Sequence, residues 1–185
     1  MSNSWPASFP ATLPEVRVTP LANYADRIHP VGVLYVDVYP YRMRDDDTLE
    51  FLLLRRRADV VMPDCWQAVS GKLRADERIS HAFLRQVVAK TGQAPSRLHR
   101  LEAVTSFYDE YYDTVMMVPG AAAQLGAGDV RIDESLHQEF RWVSQAEAHE
   151  LLPWRTSRAA IDAIAEAILN GGTAITAMSM PQLSE

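Results

Sequence analysis

Apolar positions recur at two periods along the chain, and together they predict a mixed α/β domain. Segments that are apolar on both faces, or that alternate apolar with polar residues, predict β-strands. Apolar residues spaced three and four apart predict helices. The predicted strands are residues 31–39, 49–56, 66–70, 98–108, 112–121 and 136–143, and the predicted helices are residues 78–91, 144–152 and 157–170.

Cap residues support the helix bounds. Gly92 follows the first helix at the place of a left-handed cap, and Gly171 ends the last helix. Ser144 and Glu147 have the spacing of a capping box.

The strand of residues 136–143 alternates, which gives a prediction for each of its faces. The pattern places Leu136, Phe140 and Trp142 inward and His137, Glu139 and Arg141 outward.

Composition changes abruptly at both ends of the predicted domain. Residues 1–30 hold five of the eleven prolines, which fix φ and remove backbone donors, so we expect an extended or irregular N-terminal extension. Residues 171–185 lack helical periodicity, and we expect a loose C-terminal tail there. Residues 31–170 then form one domain.

Charge and cysteine content exclude several classes of protein. Twenty-four acidic and eighteen basic residues give a net charge of -6, which argues against general nucleic-acid binding but not against a local phosphate site. Cys65 is the only cysteine, so no internal disulfide and no zinc cluster is expected. Apolar stretches are too short to span a bilayer, and no signal-peptide pattern opens the chain; we expect a cytoplasmic protein.

One segment carries chemical information. Residues 66–77 lead into the first helix, and they resemble the box of the Nudix hydrolases, G-x5-E-x7-R-E-U-x-E-E-x-G-U, where U is apolar. The positions that match are Gly71, Glu77, Arg85 and Gly92. The resemblance implies a Nudix-like α/β/α sandwich with a mixed β-sheet, in which Glu77 and Arg85 tie the loop to the helix and Gly71 allows the turn.

The resemblance extends beyond this segment. The run W-Q-x-V-S-G is similar to the dihydroneopterin triphosphate pyrophosphohydrolase group of the same family. Residues 137–143 resemble the H-x-E-Y-x-W strand of that group, and residues 157–161 resemble its final helix. Together these features cover roughly residues 31–170 in the expected order.

The resemblance fails at the three glutamates that hold Mg²⁺ or Mn²⁺ in the family. Gln86, Ala89 and Lys90 occupy those positions. Because they are spaced i, i+3 and i+4, they share one face of the helix. Magnesium requires hard anionic oxygens. An amide is a weak substitute, a methyl group is none, and an ammonium repels the ion, so we do not expect tight metal binding at this face.

Other acidic residues could supply a residual site. Glu134 and Glu139 lie where some family members place an extra metal ligand or general base, and with Glu77 they could form a weak acidic site. Alternatively, Glu134 belongs to a solvated loop and Glu139 to an exposed strand face. His137 could act as a base near neutral pH, or it could be a surface histidine beside a glutamate.

Basic residues suggest a phosphate site. Arg55 and Arg57 end the second strand, Lys72 follows Gly71, and Lys90 would stand where the family has its metal ion. An ammonium balances phosphate charge as a point cation. The alternative for Lys90 is an exposed lysine favoured by the helix dipole.

Two functions follow from this interpretation. The first is a Nudix-type hydrolase for a nucleoside- or pterin-phosphate substrate, with pyrophosphohydrolase activity that is weak, altered or absent. The second is a non-catalytic nucleotide- or phosphometabolite-binding or regulatory protein on the same fold. A homodimer is possible in either case.

Overall fold

The computed structural model describes residues 33–110, 114–171 and 179–180. They form a seven-stranded mixed sheet with helices, which confirms the predicted α/β class. The strands are β1 Tyr35–Met43, β2 Leu49–Arg56, β3 Trp66–Gln67, β4 Val69–Lys72, β5 Arg97–Asp109, β6 Thr114–Gln124 and β7 His137–Val143. The helices are α1 Ile79–Thr91, α2 Gln145–Leu151 and α3 Arg155–Asn170.

Strand β1 organises the sheet. It pairs in parallel with β6, and its two halves pair antiparallel with β4 and β2. Strand β2 also pairs with β3 and β7, and β5 pairs with β6. The register sets Asp37 of β1 between Ser70 of β4 and Gly120 of β6.

The period of two along the strands divides the core into two layers. Val36 and Val38 pack with α1, whereas Tyr39 and Tyr41 pack on the other face with α3. Strand β2 continues both layers. Its Leu52 and Leu54 join the α1 layer, and its Phe51 and Leu53 join the α3 layer. The sheet is therefore covered on both faces.

The predicted helix caps are confirmed. Gly92 has φ 71° and its N–H donates to the Val88 carbonyl, so a left-handed residue ends α1. Ser144 and Glu147 form both hydrogen bonds of a capping box at the start of α2. Gly171 follows α3 with φ 63°.

Some predicted bounds are wrong. Strand β1 begins at Tyr35 and continues to Met43, because its last residues pair in register with β2. The predicted strand 66–70 is two strands, since the chain leaves β2 at Gln67 and joins β1 at Val69.

The predicted faces of β7 are also wrong at two positions. His137 is 1% exposed, whereas Phe140 is 37% exposed. The register shifts between Arg55 and Arg56 of β2, which pair with Glu139 and His137 respectively. One step on β2 thus spans two on β7, and this irregularity removes the regular alternation that the sequence suggests.

Parts of the two predicted terminal segments lie outside the described residues. These are the whole extension of residues 1–30 and most of the tail. Within the tail, Ser179 bridges to His99, and the Met180 N–H donates to the Leu98 carbonyl at the edge of β5. No helix in the described ranges is long and apolar enough to cross a membrane.

Removing the side chain of Ile161 tests the α3 layer. Ile161 is fully buried in that layer, so Ile161→Ala should lower the free energy of unfolding by about 3 kcal/mol, through lost burial and a cavity. Urea unfolding measures the change. On the same helix Leu169 is exposed, and Leu169→Ala should change stability by less than about 0.5 kcal/mol. Equal effects would show that α3 does not pack as described.

Candidate functional site

A carboxylate–guanidinium pair ties the β4–α1 loop, residues 73–78, to α1. The Glu77 carboxylate accepts hydrogen bonds from Arg85 Nε at 2.6 Å and Arg85 Nη2 at 2.6 Å, and from the Arg74 N–H at 2.9 Å. Arg85 Nη2 also donates to the Lys72 carbonyl at 2.9 Å. The Arg85 hydrogen bond holds the pKa of Glu77 below its usual value. The predicted ion pair is thus present, and all its contacts fix the loop.

Gln86 also connects α1 to β4, from the buried side. Its side chain is 5% exposed, and its Nε2 donates to the Lys72 carbonyl at 3.0 Å. A Cβ on Gly71 would lie 2.1 Å from the Gln86 amide. Gly71 does not have a positive φ, so the expectation that it serves the turn is corrected. In this position the Gln86 side chain would have to move if residue 71 carried a Cβ.

These contacts decide whether Mg²⁺ fits the helix face that the sequence aligns with metal ligands. Gln86 is already held by the Lys72 carbonyl, Ala89 has no donor atom, and Lys90 is a cation. Magnesium needs several hard oxygens in near-octahedral geometry. The donor set at these three positions does not fit the ion.

Lys90 is buried, which contradicts the alternative of an exposed lysine. Its side chain is 8% exposed in the last turn of α1. Burial lowers the pKa of its ammonium, Asp133 opposes that shift, and Arg56 and Arg85 add to it. A buried ammonium surrounded by further positive charge is costly unless an anion balances it.

His137 is also buried, and the charge of Lys90 acts on it. Neither of its ring nitrogens has a hydrogen-bond partner among the described residues. Burial, followed by the charges of Lys90 and Arg56, lowers its pKa to about 4, with Asp133 opposing. The imidazole is therefore neutral near pH 7. We call Arg56, Lys90, His137 and Asp133 the Lys90 cluster.

The other predicted basic residues are held elsewhere. Arg55 donates to Asp64 at 2.9 Å and to Glu139 at 3.5 Å. Arg57 forms a bidentate pair with Asp59. These residues do not contribute to the described Lys90 cluster, and sequence reasoning missed Arg56, which does. The missed signal was the strand period, which puts Arg56 in phase with Leu52 and Leu54 of the α1 layer.

Lys72 is exposed. Its Nζ lies 5.7 Å from the centroid of the Tyr35 ring. Among the described residues, this side-chain contact with Tyr35 does not connect Lys72 to the Lys90 cluster.

The predicted acidic residues do not form one site. Glu77 is occupied by Arg85, and Glu139 accepts a hydrogen bond from Arg141 at 2.7 Å. Glu134 is exposed, and its carbonyl accepts a hydrogen bond from Arg57. In the part of the chain that the structure describes, no three His, Cys, Asp or Glu side chains are placed to hold a metal ion.

Sequence reasoning also missed a cleft on the opposite face of the sheet. It has a volume of about 680 Å³ and lies between α3 and strands β1, β5 and β6. Asp37 and Tyr39 line it from β1. Burial raises the pKa of the Asp37 carboxyl, and a hydrogen bond from the Ser70 hydroxyl partly offsets that shift. No local sequence motif indicates this cleft, because its lining residues come from four separate elements.

The Glu77–Arg85 pair can be tested by its dependence on pH. Arg85→Met should lower the free energy of unfolding by about 2 kcal/mol at pH 7, since charged hydrogen bonds to a part-buried carboxylate are lost. The folded-state pKa of Glu77 is lowered, so its stabilisation is complete above the unfolded pKa and disappears as pH falls through the folded pKa. Urea unfolding at a series of pH values should show the wild-type and variant curves converge in acid.

A matched control is available on the same helix. Arg78 precedes α1, is exposed, and its side chain makes no cap hydrogen bond. Arg78→Met should change stability by less than about 0.5 kcal/mol at any pH. A pH-independent effect of Arg85→Met would contradict the pairing.

Several solved structures share this fold. A Listeria monocytogenes protein described as a Nudix hydrolase has a TM-score of 0.66 and 24% identity, covering 74% of this chain and 94% of that one. A Caenorhabditis elegans Ap4A hydrolase in a binary complex has a TM-score of 0.63 and 19% identity, covering 76% and 99%. The NUDIX domain of Shewanella oneidensis NrtR, complexed with ADP-ribose, has a TM-score of 0.62 and 18% identity, covering 80% and 97%.

A comparison with curated proteins gives no match. The family comparison does. Residues 33–163, which are more than two thirds of the chain and include the β4–α1 junction, match the NUDIX domain. The chain therefore belongs to the NUDIX domain family.

Proposed function

We propose that the chain binds a phosphorylated metabolite through the Lys90 cluster and cleaves it weakly or not at all. The observation that supports this most directly is the buried Lys90 ammonium, which lies where the family resemblance places a metal ligand. Asp133 supplies one negative charge nearby, against the positive charges of Lys90 and Arg56. One negative charge of a bound phosphate group would balance the remaining positive charge.

The chemistry of the cluster suits a phosphoryl group. Lysine binds phosphate as a compact point charge, and a guanidinium adds directed donors. The neutral imidazole of His137 has one N–H donor, and neither of its nitrogens is paired among the described residues. An unpaired buried polar group costs free energy. A bound phosphoryl oxygen would accept a hydrogen bond from the His137 N–H.

Weak cleavage follows from the same residues. A divalent ion lowers the pKa of bound water and stabilises charge on the transferring phosphoryl group. An ammonium supplies charge but does not activate water in this way. Because Gln86, Ala89 and Lys90 do not fit Mg²⁺, we infer that these positions supply no metal-bound nucleophile.

The ligand class is proposed from the relatives' own ligands and from the sequence. One similar domain is complexed with ADP-ribose, and another structure is an Ap4A hydrolase. ADP-ribose and Ap4A are both phosphorylated nucleosides. The sequence resemblance to the dihydroneopterin triphosphate group adds a pterin phosphate as a candidate. The expected cytoplasmic location and the homodimer stay predictions.

We expect the protein to bind phosphorylated ligands without cleaving them efficiently. Inorganic pyrophosphate, ADP-ribose and dihydroneopterin triphosphate are added to the full chain, with Mg²⁺ or with EDTA. Thermal unfolding measures binding and phosphate release measures cleavage. We expect stabilisation that EDTA does not remove, with little or no phosphate release. Lys90→Gln should weaken pyrophosphate binding at least tenfold, because a charge-assisted hydrogen bond is lost.

Arg78→Gln is the control, since it removes the same charge at the opposite end of α1 and should leave binding unchanged. If pyrophosphate does not stabilise the protein, or if Lys90→Gln has no effect, the proposed site is wrong. Metal-dependent turnover that Glu134→Gln or Glu139→Gln abolishes would instead establish a hydrolase with relocated metal ligands.

A further inference from the structure

We propose that the far end of the β5–β6 hairpin is a contact surface for a second copy of this chain, related to the first by a two-fold axis. The segment concerned is residues 104–109 and 114–119, which we call the β5–β6 ribbon. None of its residues belongs to the Lys90 cluster, so the inference goes beyond the proposed function. It assigns a surface and a symmetry to the homodimer that the sequence leaves open.

The β5–β6 ribbon extends beyond the rest of the sheet. Strand β1 pairs with β6 over residues 120–124 of β6, whereas β5 and β6 stay paired as far as Asp109 and Thr114. Among the described strands, no third strand therefore pairs with the ribbon. The described part of the tail meets β5 at Leu98 and His99, before the ribbon begins. A two-stranded ribbon is only marginally stable in water unless another layer packs on it.

The two faces of the ribbon differ in exposure. On one face, Met116 and Val118 are buried. On the other, Tyr108 is 63% exposed, and Val115, opposite it in register, is 59% exposed. Side chains alternate along a strand, so Val115 is in phase with Ala121, which packs in the α1 layer. We call this second side the open face; the residues in phase on it are Val104, Ser106, Tyr108, Val115, Met117 and Pro119.

Exposed apolar side chains are concentrated on the open face. Of the ten large apolar side chains that are exposed in the described ranges, four lie on the ribbon. Three of these, Val104, Tyr108 and Val115, share the open face. Single exposed apolar residues are ordinary, whereas a cluster of them marks a surface that another molecule covers. Tyrosine is also enriched at the core of protein interfaces. The open face therefore has the composition of an interface core.

The charges at the two ends of the open face favour a second copy as the molecule that covers it. Arg100 lies before the ribbon, opposite Ala121 in register, and is therefore in phase with the open face. Glu110 follows β5, and the strand period places it on the same side. Both residues are exposed. A surface that is positive at one end and negative at the other is complementary to itself after half a turn, as a two-fold interface requires.

The same charges set the orientation of the two copies. With the ribbons antiparallel, Arg100 of each chain lies beside Glu110 of the other, at both ends of the contact. With the ribbons parallel, like charges would meet at both ends and repel. Charge pairs at the rim of an apolar core fix orientation in this way. A two-fold contact also closes on itself, so it covers the edge of β5 without forming an open chain of molecules.

Paired charge reversals test the two-fold arrangement. Sedimentation equilibrium of the full chain measures the dissociation constant of the dimer, and we expect a dimer in the wild type. Arg100→Glu and Glu110→Arg should each weaken it by about tenfold or more, because like charges then meet at both ends. An equimolar mixture of the two variants should dimerise again, since each glutamate then faces an arginine.

Tyr108→Ser tests the apolar core of the contact. Loss of the aromatic side chain should raise the dissociation constant by about tenfold or more. Leu169→Ser is the control, because it changes an exposed apolar residue on α3, outside the ribbon, and should leave the constant unchanged. Circular dichroism establishes that each variant is folded.

A wild-type chain that stays monomeric up to its solubility limit would overturn the inference. So would a dimer that all three ribbon variants leave intact, since its contact would then lie elsewhere. If the two charge variants dissociate and their mixture does not reassociate, the two-fold pairing is wrong. None of these outcomes affects pyrophosphate binding at the Lys90 cluster, so the two proposals fail independently.

Discussion

The hydrogen bonds that converge on the Lys72 carbonyl and on Glu77 determine how the rest of the site is built. Arg85 binds both acceptors, and Gln86 reaches the same carbonyl from the buried side. They join β4 to α1 through a loop that backbone hydrogen bonds and the packing of Leu73 on the α1 layer also support. The described side-chain and backbone contacts hold the junction, at a place where the wider family is expected to use divalent ions as well. Gln86 lies so close to Gly71 that a Cβ at that residue would displace the Gln86 amide from the Lys72 carbonyl.

The C-terminal end of α1 carries positive charge, because Lys90 lies in its last turn. No carboxylate stands at the three aligned positions, and Asp133 is the acidic group that acts on Lys90 against Arg56 and Arg85. Burial first, and then the charges of Lys90 and Arg56, keep His137 neutral. An anion would suit these positive charges, whereas the side chains of Gln86, Ala89 and Lys90 do not suit a magnesium ion. The opposite face has the reverse character, because Asp37 and its neighbours make the cleft acidic.

Much of the fold could be predicted from the sequence, since helix caps and strand alternation are local signals. Gly92, the Ser144 capping box and the Glu77–Arg85 pair are examples. The face of His137 could not be predicted, because it depends on a register shift between two strands. The influence of Arg56 on Lys90 could not be predicted without knowing which layer each β2 residue joins. The cleft could not be predicted either, because it exists only where four elements of the fold come together.

Amide hydrogen exchange of the β4–α1 loop tests the central claim most directly. The Arg74 N–H donates to the Glu77 carboxylate, so its exchange rate reports whether the junction is closed. If the contacts within the protein are sufficient to hold the loop, its protection should be the same in EDTA and in Mg²⁺, and should fall in Arg85→Met. Protection that rises on adding Mg²⁺ would show that a metal ion completes the junction and would contradict this account.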